Sequence, residues 1–368
     1  MQSILNLRYK LADFSEVVAL ISFIFVFLIF VFQAENFLTL LSITNILSFA
    51  SIKGIFVIGV AMLMISGEFD LSVGSTLAVS AYVFGILMEF GVVWMNPPFA
   101  ANPIIVVPAG IPMLALLISL IIAAILGYIN GWIVVNTGIP SFIATLGTML
   151  AFRGIARALG QLELTKLVVD GNGQQSLQSF ESEADVIRFT GETPPLFNWL
   201  NGDILFINDM SVPAGGARLA IFWFVLFLII AVIVMRYTRY GSWVYATGGN
   251  RAAALAQGVN INRVLITNFV ITGVLAGFAG IAQFGSRPAI DPARGEGWEL
   301  IAVAACVIGG IWLQGGYGTI IGAAIGMLLL QMVEQGLILG GVDIQLFQAT
   351  IGLILILAVI SNTYLSKQ

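Results

Sequence analysis

Apolar residues in this chain come in long uncharged intervals, not in the short alternations of half-buried strands or the single stripe of a surface helix. A membrane-spanning helix needs about 20 mostly apolar residues, and on that measure the first interval, Val17–Ala34, is a span. It lacks a small-residue cleavage site and reads as a retained helix, not a leader. The second interval runs from Ile43 to Ser66, interrupted by Lys53, and the third is Leu71–Met88. Between Phe90 and Phe152 there is no charge, but Pro97, Pro98, Pro103, Pro108 and Pro112 break the early part and Asn136–Pro140 breaks it again. Proline removes a helix donor and clashes with the preceding turn, so two spans remain there, about 112–135 and 140–159. Leu219–Met235 and Val264–Ser286 follow, a stretch from Leu300 to Val333 is split at Gln314–Gly318, and Ile344–Ser366 closes the series. The pattern predicts an all-α polytopic membrane protein: ten spans in a single transmembrane domain, 1–368.

Composition agrees. The 368 residues are 59% hydrophobic and 9% charged, against about 25% charged residues in soluble domains. The net charge of −4 excludes little, because the acids cluster in one segment, but it disfavours a nucleic-acid partner. With no His and one cysteine, Cys306, neither an intrachain disulfide nor a zinc, iron or haem ligand set can be built, and no cofactor or metal is expected in this chain.

Charge also orients the spans. The loop 236–263 holds Arg236, Arg239, Arg251 and Arg263, and no acid lies between Asp209 and Asp291. Basic short loops stay in the cytoplasm. Ten spans then place both termini there, in agreement with Arg8, Lys10 and Lys367. Residues 160–217 face outward and carry eight acids against Lys166 and Arg188, which predicts a small ordered extracytoplasmic cap. Arg153 and Arg157, at the outer end of the fifth span, run against this rule.

Residues 128–150 laid over 333–355, at an offset of 205, coincide at eight positions. The shared core is Phe-x-Ala-Thr-(Leu/Ile)-Gly at 142–147 and 347–352, preceded by Gly131 and Gly336. A looser echo pairs Gly67–Leu71 with Gly295–Leu300, each leading into a span. Copies five spans apart are inverted across the membrane, so spans 2–5 and 7–10 form an inverted repeat, an architecture whose substrate path lies at the repeat interface near the midplane. Asn130, Phe142, Thr145, Gln335, Phe347 and Thr350 are the candidates for that path. Amides, Thr and aromatics suit a neutral, hydroxyl-rich solute; each of them could equally serve only to pack helices.

Several chemistries are missing. The dipeptide Gly-Lys does not occur, so there is no P-loop, and without His neither a Ser-His nor a Cys-His pair exists. A membrane enzyme is disfavoured. Ion-coupled carriers keep several ionisable groups within their spans; Lys53, Glu89, Arg153, Arg157 and Glu334 are the candidates here, most near predicted span ends. Energy is therefore expected from a separate subunit, with an ion-coupled secondary carrier as the rival reading.

Two segments have a physical signature. In the turn 66–75, Asp70 or Ser72 can cap the third span, Gly74 allows close helix approach, and Glu68 adds a charge; a capped turn without further role accounts for it too. In the basic loop, Gly248-Gly249 precedes Asn250, a good N-cap, then Arg251–Gln257 with Ala254 at its centre, then Gly258, a natural stop. This predicts a short helix with little apolar area of its own, on which a partner docks.

Gly67–Ser75, Ser141–Met149, Gly248–Ala254, Gly280–Gln283 and Ile308–Thr319 resemble, in order and spacing, the permease subunits of ribose-type ABC importers of simple sugars, within the branched-chain amino acid/ribose-type binding-protein-dependent permease family. The resemblance covers about residues 40 to 365. It implies an inner-membrane permease that translocates a monosaccharide or related polyol, a nucleoside or sugar-like signalling molecule being the alternative. It also implies two permease copies, identical or different, a cytoplasmic ABC ATPase and a periplasmic or lipid-anchored sugar-binding protein. Where the family has Gly-Gly-Ile-Asp-Leu-Ser-Val-Gly, this chain has Glu68 and Phe69; Lys53 replaces a small or amide residue, and 160–217 is longer.

Overall fold

The computed structural model describes residues 15–94, 104–107, 109–161, 164–169, 175–180, 187–188, 194–202, 218–286 and 289–342, with short pieces between 346 and 356. In chain order the main elements are α1 (Ser15–Gln33), α2 (Leu40–Ile65), α3 (Val73–Glu89), α4 (Pro112–Thr137) and α5 (Ser141–Gly160), then α6 (Pro195–Asn201), α7 (Ala220–Tyr237), α8 (Arg239–Gly249), α9 (Arg251–Ala256), α10 (Ile261–Ser286), α11 (Trp298–Ile308) and α12 (Ile320–Leu339). Strands among the described residues form three two-stranded antiparallel sheets: β1 (Val92–Trp94) with β2 (Ile104–Val107), β3 (Leu164–Val169) with β4 (Gln175–Phe180), and β5 (Ile187–Arg188) with β6 (Ala289–Ile290). The β3–β4 register runs from Leu164 opposite Phe180 to Val169 opposite Gln175.

Local chemistry explains the boundaries. The Ser42 N–H donates to Thr39 Oγ1 (3.3 Å) and the Gly322 N–H to Thr319 Oγ1 (3.0 Å), capping α2 and α12. The expected break at Asn136–Pro140 lies between Thr137 and Ser141, with Gly138 in the left-handed region at φ 71°. Three boundaries differ from expectation. The loop after α7 holds a further helix, α8, capped by the Thr238 hydroxyl, which accepts from the Gly241 N–H (3.3 Å). The eighth span is only the 11-residue α11, closed at Gly309–Gly310. The ninth continues through Gly336 to Leu339, because Gly336 packs against the Phe30 ring of α1 and is a contact, not a stop.

Six helices among the described residues are long and apolar enough to cross a membrane: α2, α4, α5, α7, α10 and α12; α3, α11 and most of α1 are shorter apolar helices. Burial sorts them into two sets. The apolar window of α2 is 83% buried and those of α10 and α12 67%, whereas α4, α5 and α7 reach 22–28%. α2, α10 and α12 thus make the middle of the bundle, and the outer helices turn Leu117, Ile121, Leu150, Ile155 and Phe222 outward, as a hydrocarbon solvent permits. At one end Phe197 of α6 meets Phe84 and Phe284 at ring-centroid distances of 5.9 and 5.5 Å, tying part of 160–217 to α3 and α10.

α2 and α10 share a feature: each is 26 residues long, and each is followed by a non-helical segment and a short helix. The segment after α10 meets the first turn of α3. A methyl group on Gly74 would overlap the Gly295 carbonyl, and one on Gly295 would lie 2.7 Å from the Gly74 carbonyl oxygen, so only glycines allow this approach. The two parts of the looser sequence echo, 67–71 and 295–300, flank this contact.

Candidate functional site

The segment between α2 and α3 is held by side chains from two other helices. Glu68, Phe69 and Asp70 are neither helix nor strand. The Phe69 N–H donates to Ser141 Oγ (3.0 Å) and the Leu71 N–H to Thr145 Oγ1 (3.1 Å), both on α5. Asp70 Oδ1 accepts from the Ser72 N–H (2.8 Å) and from its hydroxyl (2.7 Å). Asn130 of α4 donates to Ser72 Oγ (2.7 Å) and, at 3.3 and 3.4 Å, to the Asp70 carboxylate. Ser72 occupies the N-cap of α3 without a side-chain cap bond, so Asp70 serves the first turn from two residues upstream.

Two candidate path residues are thereby engaged with protein. Asn130 and Thr145 are fully buried, and their polar atoms face the segment 69–72. Phe142 is 53% exposed on the outer face of α5, and Gln335 is half-buried. The Thr350 hydroxyl donates to Leu346 O of its own helix at 2.9 Å; Phe347 lies outside the described residues.

The other half of the site is a junction of three backbones at the basic end. The Gly316 N–H donates to Ile65 O (2.8 Å), and the Tyr245 hydroxyl donates to Gly318 O (2.9 Å). A methyl on Gly248 would overlap Ile65 O, and one on Gly316 would lie 2.5 Å from Gly249 Cα, so the end of α8, the end of α2 and the loop 314–318 pack main chain to main chain. Next to this junction, burial pushes the Tyr240 phenol up, and it remains a donor to Asn268 Oδ1 (2.7 Å); burial raises Tyr245 likewise.

α9 projects from the junction. As expected, Asn250 is its N-cap, its Oδ1 accepting from the Ala253 N–H (3.0 Å), and Gly258 comes after the last turn at φ 80°. Only Ala254 among its residues is buried; Arg251, Ala252, Ala253, Leu255 and Ala256 are exposed. The sequence leaves Arg251 available to an acid on a partner. Instead its guanidinium pairs with Glu68 of the α2–α3 segment, a contact that sequence separation hides, although both charges lie in segments assigned to the same side.

A second ion pair lies in the middle of the bundle. Lys53 Nζ is 2.7 Å from Glu334 Oε2, donates to Gln331 Oε1 (3.0 Å) and stands 5.5 Å from the centroid of the Trp298 ring, which stacks on Phe56 at 5.9 Å. Lys53 interrupts the second span as expected, near the midpoint of α2, whereas Glu334, expected just past the end of the ninth span at Val333, is inside α12. Mutual pairing lets both remain there. Arg153 is also buried, its guanidinium donating to Pro292 O (3.0 Å) and Arg294 O (2.8 Å). Among the described residues no three Asp, Glu or Cys side chains cluster as a metal site would require.

Six long apolar helices among the described residues, with Lys53 and Glu334 paired inside the bundle, define a polytopic membrane protein. Residues 42–359 match the family described as branched-chain amino acid transport system / permease component, and the chain belongs to that family. It is 30% identical over 331 residues to the ribose import permease protein RbsC of Escherichia coli (strain K12), covering 89% of this chain and 87% of that one. It is 31% identical over 318 residues to the galactose/methyl galactoside import permease protein MglC of the same strain, covering 86% and 84%. With the xylose transport system permease protein XylH of Haemophilus influenzae it shares 30% over 365 residues, covering 90% and 91%. No solved structure matches the chain. The chain is thus a multi-pass inner-membrane permease component.

Proposed function

We propose that this chain is the permease subunit of an ATP-binding-cassette importer and that it carries a monosaccharide across the inner membrane. The observation behind this reading is that three sugar permeases, named for ribose, galactose and xylose, each align with 84–91% of their own length to this chain. ATP is hydrolysed by a separate cytoplasmic ATPase, a periplasmic or lipid-anchored binding protein delivers the sugar, and a second permease copy completes the path. The chain itself needs no cofactor.

In this reading the whole of 1–368 is one transmembrane domain of ten spans with both termini in the cytoplasm. Spans 2–5 and 7–10 are inverted copies, supported by the equal lengths of α2 and α10 and by the contact of Gly74 with Gly295. Residues 160–217 face outward and 236–263 face the cytoplasm. Gly248, Gly249, Asn250, Arg251, Ala254 and Gly258 form the platform for the ATPase, with the turn at Glu68, Asp70, Ser72 and Gly74 behind it. Phe142, Thr145, Phe347 and Thr350 approach the substrate path, flanked by Asn130 and Gln335. The Lys53–Glu334 pair is internally neutral, which favours a driven permease over an ion-coupled carrier.

The test is uptake of labelled ribose, galactose or xylose into liposomes holding the purified chain alone. No uptake under an ion gradient, with uptake restored by ATP once the ATPase and binding protein are added, is the expected result. Gradient-driven uptake by the chain alone would replace this reading with the secondary carrier.

A further inference from the structure

Arg251 and Glu68 are 183 residues apart in sequence, yet their side chains form an ion pair. One partner is half-exposed on α9 (49%) and the other is buried (8%) at the head of the α2–α3 segment. The residues just after Glu68 are unusually well tied. Phe69 and Leu71 are held by Ser141 and Thr145 of α5, Asp70 by Asn130 of α4, and Gly74, the second residue of α3, rests against Gly295. A non-helical segment has no internal ladder to absorb displacement, so a pull at Glu68 reaches α4, α5 and the Gly74–Gly295 contact through these bonds.

We propose that Arg251 and Glu68 are positioning residues for transport, their ion pair forming the strut that passes movement of α9 to the segment 68–72 and from there to the middle of the bundle. This inference rests on the reading of α9 as the ATPase-docking helix and adds the direction in which its motion travels. Arginine suits the role, since its planar fork fixes an orientation that a lysine ammonium does not.

The experiment replaces the chromosomal copy in the native host with Arg251→Glu, Glu68→Arg, the double exchange, and the milder Glu68→Gln. It reads uptake of whichever of labelled ribose, galactose and xylose the wild type imports, together with membrane level and co-purification of the ATPase. Each single reversal should lower uptake about tenfold, Glu68→Arg with ATPase co-purification intact because Glu68 is buried behind the docking helix, and the double exchange should recover to within about twofold of wild type. Glu68→Gln should lie between, at normal membrane level. Three results overturn the strut: single reversals that import like wild type, a double exchange as defective as the singles while membrane levels are normal, or Glu68→Arg that loses the ATPase. A wild-type chain that brings down no ATPase overturns the docking reading itself, and does so before any variant is compared.

Discussion

Two of the ion pairs, Lys53–Glu334 and Arg251–Glu68, each join an early segment to a late one, yet they have opposite settings. Lys53 and Glu334 meet at 2.7 Å on two helices of the bundle interior, with Gln331 and the Trp298 ring completing the shell around the lysine. Arg251 stands half in solvent on a short helix, and only its partner Glu68 is buried. A buried pair offsets its desolvation only while both partners are present, so loss of one costs about 3–5 kcal/mol. A pair with one exposed partner is screened and contributes about 0–1 kcal/mol. The first pair therefore belongs to stability and the second to mechanics: similar charges, separated in role by what surrounds them.

The contrast is steepest at Lys53. Lys53→Met leaves the Glu334 carboxylate unpaired among helices and should lower the unfolding free energy by about 3–5 kcal/mol, read as a fall in thermal midpoint in detergent. Lys53→Met combined with Glu334→Leu should regain most of the loss; a single variant as stable as wild type would show that the pair carries no structural burden.

Next is Thr145→Val, which keeps shape but leaves the buried Leu71 N–H without its acceptor, at a cost of about 1–3 kcal/mol. Thr350→Val, whose exposed hydroxyl donates to Leu346 O four residues earlier, should change stability by less than about 0.5 kcal/mol. Equal effects would mean that the two repeat copies are used alike. For transport, Thr145→Ala with Thr350→Ala should alter uptake while ATPase docking persists; normal uptake removes both from the path.

Arg251→Gln probes the exposed pair in the same way, since its thermal midpoint should match a change of about 1 kcal/mol although uptake falls. The smallest perturbation tests orientation alone. Cysteines at Ser179 and Gln257 should label from opposite sides of the membrane, with the native Cys306 silent because it is buried. Labelling from one side in intact spheroplasts would make the span count wrong by an odd number.

Much of this is legible in the sequence, where the physics is local. Asn250 and Gly258 bracket α9 because capping and the left-handed stop act within a few residues, and the break before Ser141 comes from Gly138 and Pro140. The echo between 67–71 and 295–300 lies beside the close approach of Gly74, in the first turn of α3, to Gly295. Contacts across the chain are not legible. Lys53 reads as an interruption because Glu334 is 281 residues away, and Arg251 reads as free because Glu68 reads as part of a turn. Gly336 reads as a helix end because its partner, Phe30, belongs to a helix more than three hundred residues earlier. α8 is hidden because its arginine, serine and glycines read as loop, while its helical state depends on packing against Ile65 and Gly316.

That ATP-driven motion enters through α9 is tested most directly by Ala254→Pro. The substitution removes the N–H that donates to Asn250 O (2.9 Å) and, at about 3 kcal/mol for an interior helix position, opens a six-residue helix while leaving every span intact. ATP-dependent sugar uptake and ATPase co-purification, measured side by side for wild type and Ala254→Pro at equal membrane levels, should both be lost in the variant. Full uptake by Ala254→Pro would contradict the account and place the coupling elsewhere on the basic end, at the turn 67–74.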